Sequence, residues 1–149
     1  MACFELIARA GHGVLSTVFA GTTIQRESRA EVRVIDSVPV VFAVRGRDVL
    51  LPIDTVKPKK STALQRIRNL EADPRCTLLV EKYDDDWDDL WWVRIHGNAE
   101  IHNSGPAELK LLGESHPQYS EPGSIAGLIV LTPAIVTGWR SRAGTPHPI

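Results

Sequence analysis

Lys57, Lys59 and Lys60 crowd the stretch Asp54-Thr55-Val56-Lys57-Pro58-Lys59-Lys60-Ser61-Thr62, and Arg66 and Arg68 extend the charge with no carboxylate between residues 55 and 70. Three ammonium groups ahead of a helix start make a place for an anion. The first backbone N–H groups of a helix lack intrahelical acceptors, and the helix dipole adds partial positive charge at the same point. A phosphate suits that chemistry. Ser61 or Thr62 can cap the helix or donate a hydroxyl to a phosphate oxygen. The competing reading is three solvated lysines on an exposed turn. Their position against a helix start, with no acid beside them, gives the anion reading its weight.

Aromatic residues supply the second candidate chemistry. Trp91 and Trp92 are adjacent in an extended stretch and so point to opposite faces of it. One can fill a core while the other meets a partner or a planar ligand. Arg94 shares the face of Trp92 and brings a cation to it. Core packing is the alternative use of Trp87, Trp91, Trp92 and Trp139. Other chemistries find less support. His12, His96, His102, His116 and His147 show no metal-ligand spacing, and the sequence has neither a nucleophile elbow nor a Gly-rich nucleotide loop. Cys3 and Cys76 are expected to be reduced thiols with no metal and no disulfide.

The chain has 149 residues, enough for a single domain with its own core, and one domain over residues 1–149 is expected. A net charge of −1 argues against a polyanion-binding surface such as duplex nucleic acid requires. The basic segment is balanced by Glu81, Asp84, Asp85, Asp86, Asp88 and Asp89, which must form a surface loop because carboxylates are not buried unpaired. No apolar run reaches membrane-spanning length and the start does not read as a secretory signal, so a cytoplasmic protein with no membrane partner is expected.

The elements that must position these residues follow from periodicity and punctuation. A short helix is expected over residues 4–10 and a strand over 13–19. A hairpin connection follows over 21–29, then an alternating strand over 31–35 and a buried run over 38–44. Arg45-Gly46-Arg47-Asp48 reads as a tight turn before a strand over 49–53. A helix starting at Ser61 or Thr62 places Leu64, Ile67 and Leu70 on one face and stops before Pro74. Strands are expected over 76–80 and 90–101, the latter with a bulge at Gly97. A helix over 106–114 turns Leu109 and Leu112 inward, and the last extended segment, 127–139, carries a bend or an edge at Pro133. Six or so strands with short helices predict a mainly β chain, a closed or partly closed antiparallel barrel.

Taken together, Ile53-Asp54-Thr55-Val56-Lys57-Pro58-Lys59, Leu64-Gln65-Arg66, Asn69-Leu70, Asp73-Pro74-Arg75, Leu78-Leu79-Val80, Tyr83-Asp84-Asp85-Asp86-Trp87 and Leu90-Trp91-Trp92-Val93-Arg94 resemble one family. It is the pyridoxamine-phosphate-oxidase-like split β-barrel proteins, in particular the actinobacterial branch of probable coenzyme F420-dependent enzymes. The likeness is close over residues 38–101, and Gly138-Trp139-Arg140 resembles the family's closing strand. It implies an FMN-binding-like Greek-key split barrel and a homodimer with cofactor sites at the subunit interface. Carried over by position, Lys59 and Lys60 take the cofactor phosphate with Lys57 and Ser61 beside them. Ile53 and Asp54 give backbone contacts, and Trp92 with Arg94 lies on the strand that reaches the cofactor. The implied cofactor is coenzyme F420, with FMN as the alternative. Residues 19–36 depart from the family pattern, in which a short Asp-Gly turn leads directly into the next strand.

Two functions stay in view. One is an oxidoreductase that transfers a hydride from the deazaflavin to a small organic acceptor. Tyr83, His96 and Trp139 are then conceivable proton donors, and no catalytic residue is singled out. The other is a non-catalytic carrier of F420, FMN or haem.

Overall fold

The computed structural model describes residues 2–21, 34–54, 62–142 and 145–148. The chain runs α1 (Ala2–Ala10), β1 (His12–Val18), β2 (Ile35–Val41), β3 (Ala43–Arg45), β4 (Asp48–Asp54), α2 (Thr62–Ala72), β5 (Arg75–Lys82), β6 (Trp91–His102), α3 (Pro106–Ser115), β7 (Ile125–Arg142) and β8 (Thr145–Pro148). Short 3₁₀ turns occupy Trp87–Asp89 and Pro117–Tyr119.

All pairings are antiparallel, and the strand order is β2-β1-β5-β6-β7-β4-β3, with β8 added to β7. The two ends of that order, β2 and β3, are separated in the chain only by Phe42. Both edges of the sheet must therefore meet at one residue, and the sheet curls into a barrel. Phe42 is fully buried at this seam and its N–H donates to the Gly11 carbonyl at 2.9 Å. Gly11, at φ +68°, ends α1 in the left-handed conformation that glycine adopts without strain.

The core divides in two. Inside the barrel lie Leu15, Val49, Leu51, Leu78, Val80, Val93, Ile95, Ile129 and Leu131, and Cys3 and Ile7 of α1 join them. The alternate residues of β4 and β7, Leu50, Leu128 and Val130, face the other way and pack with Leu112 of α3 and Tyr119. Both faces of β4 are thus buried, which explains its continuous apolar run. Leu109 is partly buried beside Leu112, as the periodicity of that helix predicts.

The bulge anticipated at Gly97 is present. Gly97 pairs with Pro133 and His96 with Ile135, which leaves Ala134 as the extra residue. A Cβ on Gly97 would stand 2.2 Å from the Thr132 carbonyl oxygen, so only glycine lets the two strands approach here. Pro133 marks a bend and also an edge: β6 runs along one side of β7 there, while the pairing with β4 ends at Leu131 and that with β8 starts at Trp139. One expectation needs correction. The run 38–44 is not a single strand: it is split at Phe42, where the chain crosses from one edge of the sheet to the other. Ile35, expected to end one strand, opens β2 together with the first half of that run. Residues 31–33 of the expected earlier strand lie outside the described residues.

Candidate functional site

Strand β4 carries Ile53 and Asp54 to its end, where a register shift sets Ile53 opposite Gly127 and Asp54 opposite Ile125. Ile53 packs partly against the barrel core. Asp54 accepts a hydrogen bond from the Tyr119 hydroxyl at 3.2 Å. Burial first, then the Asp54 charge and this hydrogen bond, pushes the Tyr119 phenol up to about 12, while Arg66 acts in the opposite direction. Lys57, Lys59, Lys60 and Ser61 lie outside the described residues.

The helix after that turn is anchored by a residue that sequence reasoning passed over. Asn69 is fully buried and uses its whole amide. Its Oδ1 accepts from the Ala20 N–H at 2.8 Å and from Gln65 Nε2 at 2.9 Å. Its Nδ2 donates to Thr17 Oγ1 at 3.0 Å and to Asp36 Oδ2 at 2.8 Å. One side chain thus ties α2 to the end of β1 and the start of β2. The signal was present in the amphipathic pattern of α2, where Asn69 occupies a core position beside Leu70, but polarity hid it.

Trp91 and Trp92 do point to opposite faces of β6. Trp91 is 8% exposed in the barrel core, whereas Trp92 is half-buried on the outer face. The Arg94 guanidinium lies 5.4 Å from the Trp92 ring centroid, a cation–π stack. Across β7, Trp139 stands opposite Trp92 and Thr137 opposite Arg94. The Thr137 hydroxyl is buried without a hydrogen-bond partner.

Of the expected site residues that are described, Ile53 and Asp54 lie at one end of β7 and Trp92 and Arg94 lie beside its other end. Asp54 pairs with Ile125 and Trp92 with Trp139, fourteen residues farther along β7. At about 3.3 Å per residue that is about 46 Å measured along the strand.

Between them the same outer face carries a polar row that the sequence did not reveal. Ser16 Oγ and Ser37 Oγ lie 2.8 Å apart, and Thr77 Oγ1 lies 2.9 Å from His96 Nδ1. Ser16 stands opposite both Ser37 and Thr77, so the row crosses β2, β1, β5 and β6. Ser16, Thr77 and His96 of the row floor a cavity of about 550 Å³ whose walls include Ile35, Arg75, Asn98 and Ala134. Arg75 is held by Asp73 at 2.7 Å. Cys76 in the wall has its thiol pushed up to about 12 by burial, so it carries no thiolate chemistry near neutral pH. Around the row the face is apolar: Ile35 is 59% exposed, Ile135 57%, Leu79 40% and Val14 38%. Among the described residues no His, Cys, Asp and Glu side chains gather into a metal site, and no helix is long and apolar enough to cross a membrane.

A family model described as pyridoxamine 5'-phosphate oxidase matches residues 2–140. The chain belongs to that family. No protein of curated function matches it. Among solved structures, a conserved hypothetical protein from Mycobacterium tuberculosis is similar at 20% identity and TM-score 0.65, over 98% of this chain and 88% of its own. The FAD binding protein from Mycobacterium smegmatis is similar at 17% identity and TM-score 0.55, over 92% of each chain. The heme binding protein from the same organism gives 18% identity and TM-score 0.62, over all of this chain and 57% of its own. At these identities the structures establish the fold, a mainly antiparallel split barrel.

Proposed function

We propose that the chain binds a phosphate-bearing flavin or deazaflavin, coenzyme F420 foremost and FMN as the alternative, and acts as an oxidoreductase on a small organic acceptor. The observation that carries the reading is the placement of its two candidate contacts at opposite ends of β7. A single chain has Ile53 and Asp54, which lead in sequence to the basic segment, at one end of β7 and the Trp92–Arg94 stack at the other. A homodimer in which the turn of one subunit meets the Trp92 strand of its partner unites them.

The bare outer face supports that assembly. Val14, Leu79 and Ile135 are exposed apolar side chains on this face, of the kind that an interface covers. The residues present fit a planar anionic cofactor: an indole face flanked by a guanidinium, with an unpartnered Thr137 hydroxyl beside them. Lys57, Lys59, Lys60 and Ser61 would hold the phosphate, and Ile53 and Asp54 would line its approach. Structures of the same fold named for FAD and heme binding support a planar ligand. When bound, such a cofactor supplies the hydride chemistry itself. The chain's part is to orient the ring, to exclude water and to neutralise the phosphate. Two free thiols and the absence of a membrane-length helix among the described residues fit a cytoplasmic setting.

A second reading, a carrier of F420, FMN or haem without turnover, is favoured by the altered stretch 19–36 and by the heme-binding relative. Steady-state oxidation of reduced coenzyme F420 with a panel of enones, quinones and biliverdin separates the two. Turnover that requires the protein supports the oxidoreductase. Stoichiometric binding without turnover supports the carrier, and neither binding nor turnover of F420, FMN or haem overturns both.

A further inference from the structure

The cavity on the outer face has two unlike halves. Ser16, Thr77 and His96 form its floor. Two residues along the strands, Ile35 pairs with Val18 and Arg75 with Asn98, and all four line the cavity. The side formed by β1 and β2 is therefore apolar, and the side formed by β5 and β6 carries a guanidinium, a carboxamide and an imidazole. Among the described residues no carboxylate lines it. Its volume of about 550 Å³ falls within the range of roughly 300–1,000 Å³ common for small-molecule sites.

The polar half is held in place by its neighbours. Asp73 grips Arg75 by two nitrogens, Nε at 3.0 Å and Nη2 at 2.7 Å. The guanidinium plane is thereby fixed, and Nη1 is left for another acceptor. His96 is oriented in the same manner, with its Nδ1 2.9 Å from Thr77 Oγ1. When Thr77 donates to Nδ1, the ring proton sits on Nε2, which makes no protein hydrogen bond among the described residues. Asp73 offsets the charge of Arg75, so selection rests on directed donors and not on net charge. The bulge that leaves Ala134 as an extra residue borders the same cavity, and bulges gather beside functional sites.

We propose that this cavity binds a small organic monocarboxylate with an apolar body, its oxygens taken by Arg75, Asn98 and His96 and its body laid over Val18 and Ile35. A carboxylate is an acceptor with two oxygens and no proton of its own, which suits a guanidinium edge, an amide N–H and an imidazole N–H facing one space. A cation would meet Arg75 with no lining carboxylate to receive it. None of these residues belongs to the proposed cofactor contacts, so the site does not depend on them.

The full-length protein, labelled with ¹⁵N, is titrated with benzoate and separately with its neutral isostere benzamide, and NMR shifts locate and quantify the binding. Benzoate should give saturable shifts at Ser16, Thr77, His96 and Asn98, with an affinity about 10-fold above that of benzamide, as one charge-assisted contact confers. Arg75→Met should bring the two affinities to within about threefold of each other, and Arg75→Lys should restore part of the preference. His96→Phe should weaken benzoate by about three- to tenfold. Arg75 is exposed and its ion pair lies at the surface, so Arg75→Met is expected to fold. Should it not, Arg75→Gln is read in the same way. The absence of a saturable shift at these residues up to about 10 mM benzoate, a weak affinity even for so small a ligand, overturns the site. Shifts confined to other surfaces overturn it as well. Equal wild-type affinities for benzoate and benzamide, or a preference that survives Arg75→Met, overturn the carboxylate assignment. Because no cofactor is added, failure here leaves the flavin reading untouched.

Discussion

The Asn69 side chain donates to the Asp36 carboxylate at 2.8 Å and so joins helix α2 to strand β2 across 33 positions of sequence. Together with its bonds to Thr17, Ala20 and Gln65, this makes one buried amide the fastener between the helix that follows the basic turn and the two strands of the first hairpin. Asn69→Ala leaves the part-buried Ala20 N–H and the buried Thr17 hydroxyl without this partner. At about 1–3 kcal/mol for each group so stranded, a loss of about 3 kcal/mol is expected. Urea denaturation measures it, and a loss below about 1 kcal/mol would show the network to be dispensable.

Tyr119 gives the fold an alkaline limit. Its folded-state pKa is raised from 10.0 to about 12, so its contribution to stability is complete below pH 10 and is lost as pH rises through the folded value. A shift of this size corresponds to about 2–3 kcal/mol, an order-of-magnitude figure. The stability of the wild type should therefore fall more steeply than that of Tyr119→Phe between pH 10 and 12. Parallel curves for the two proteins would remove the role given to burial.

Ile135, 57% exposed on the outer face, reports on the proposed dimer. If a second copy covers it, Ile135→Asp places an unpaired carboxylate in the interface, and burying an uncompensated charge is strongly unfavourable. Sedimentation should give a dimer for the wild type and a monomer with unchanged far-UV circular dichroism for the variant. Equal masses for both would leave this face outside any subunit interface.

Much of the fold was legible because local signals agreed with tertiary demands. Periodicity located α1, α2 and α3, and the turn at Gly46 and the bulge at Gly97 followed from glycine chemistry. The break at Phe42 was not legible, since an unbroken apolar run does not show that two sheet edges meet there. Nor does local sequence reveal which strands become neighbours. The row Ser37, Ser16, Thr77 and His96 exists only because β2, β1, β5 and β6 lie side by side. Of the candidate site, the shared face of Trp92 and Arg94 was legible from alternation alone. Tyr119 was not, because it reaches Asp54 only through the packing of the short turn that follows α3.

The central claim is that a phosphate anchors the cofactor at the basic turn, and a fluorescence titration of wild type and Lys59→Ala/Lys60→Ala with coenzyme F420 and FMN tests it most directly. Two charge-assisted contacts with incomplete additivity predict a loss of about 2–5 kcal/mol in binding free energy, with the fold intact by circular dichroism. Equal affinity of the variant and the wild type for both ligands would contradict it.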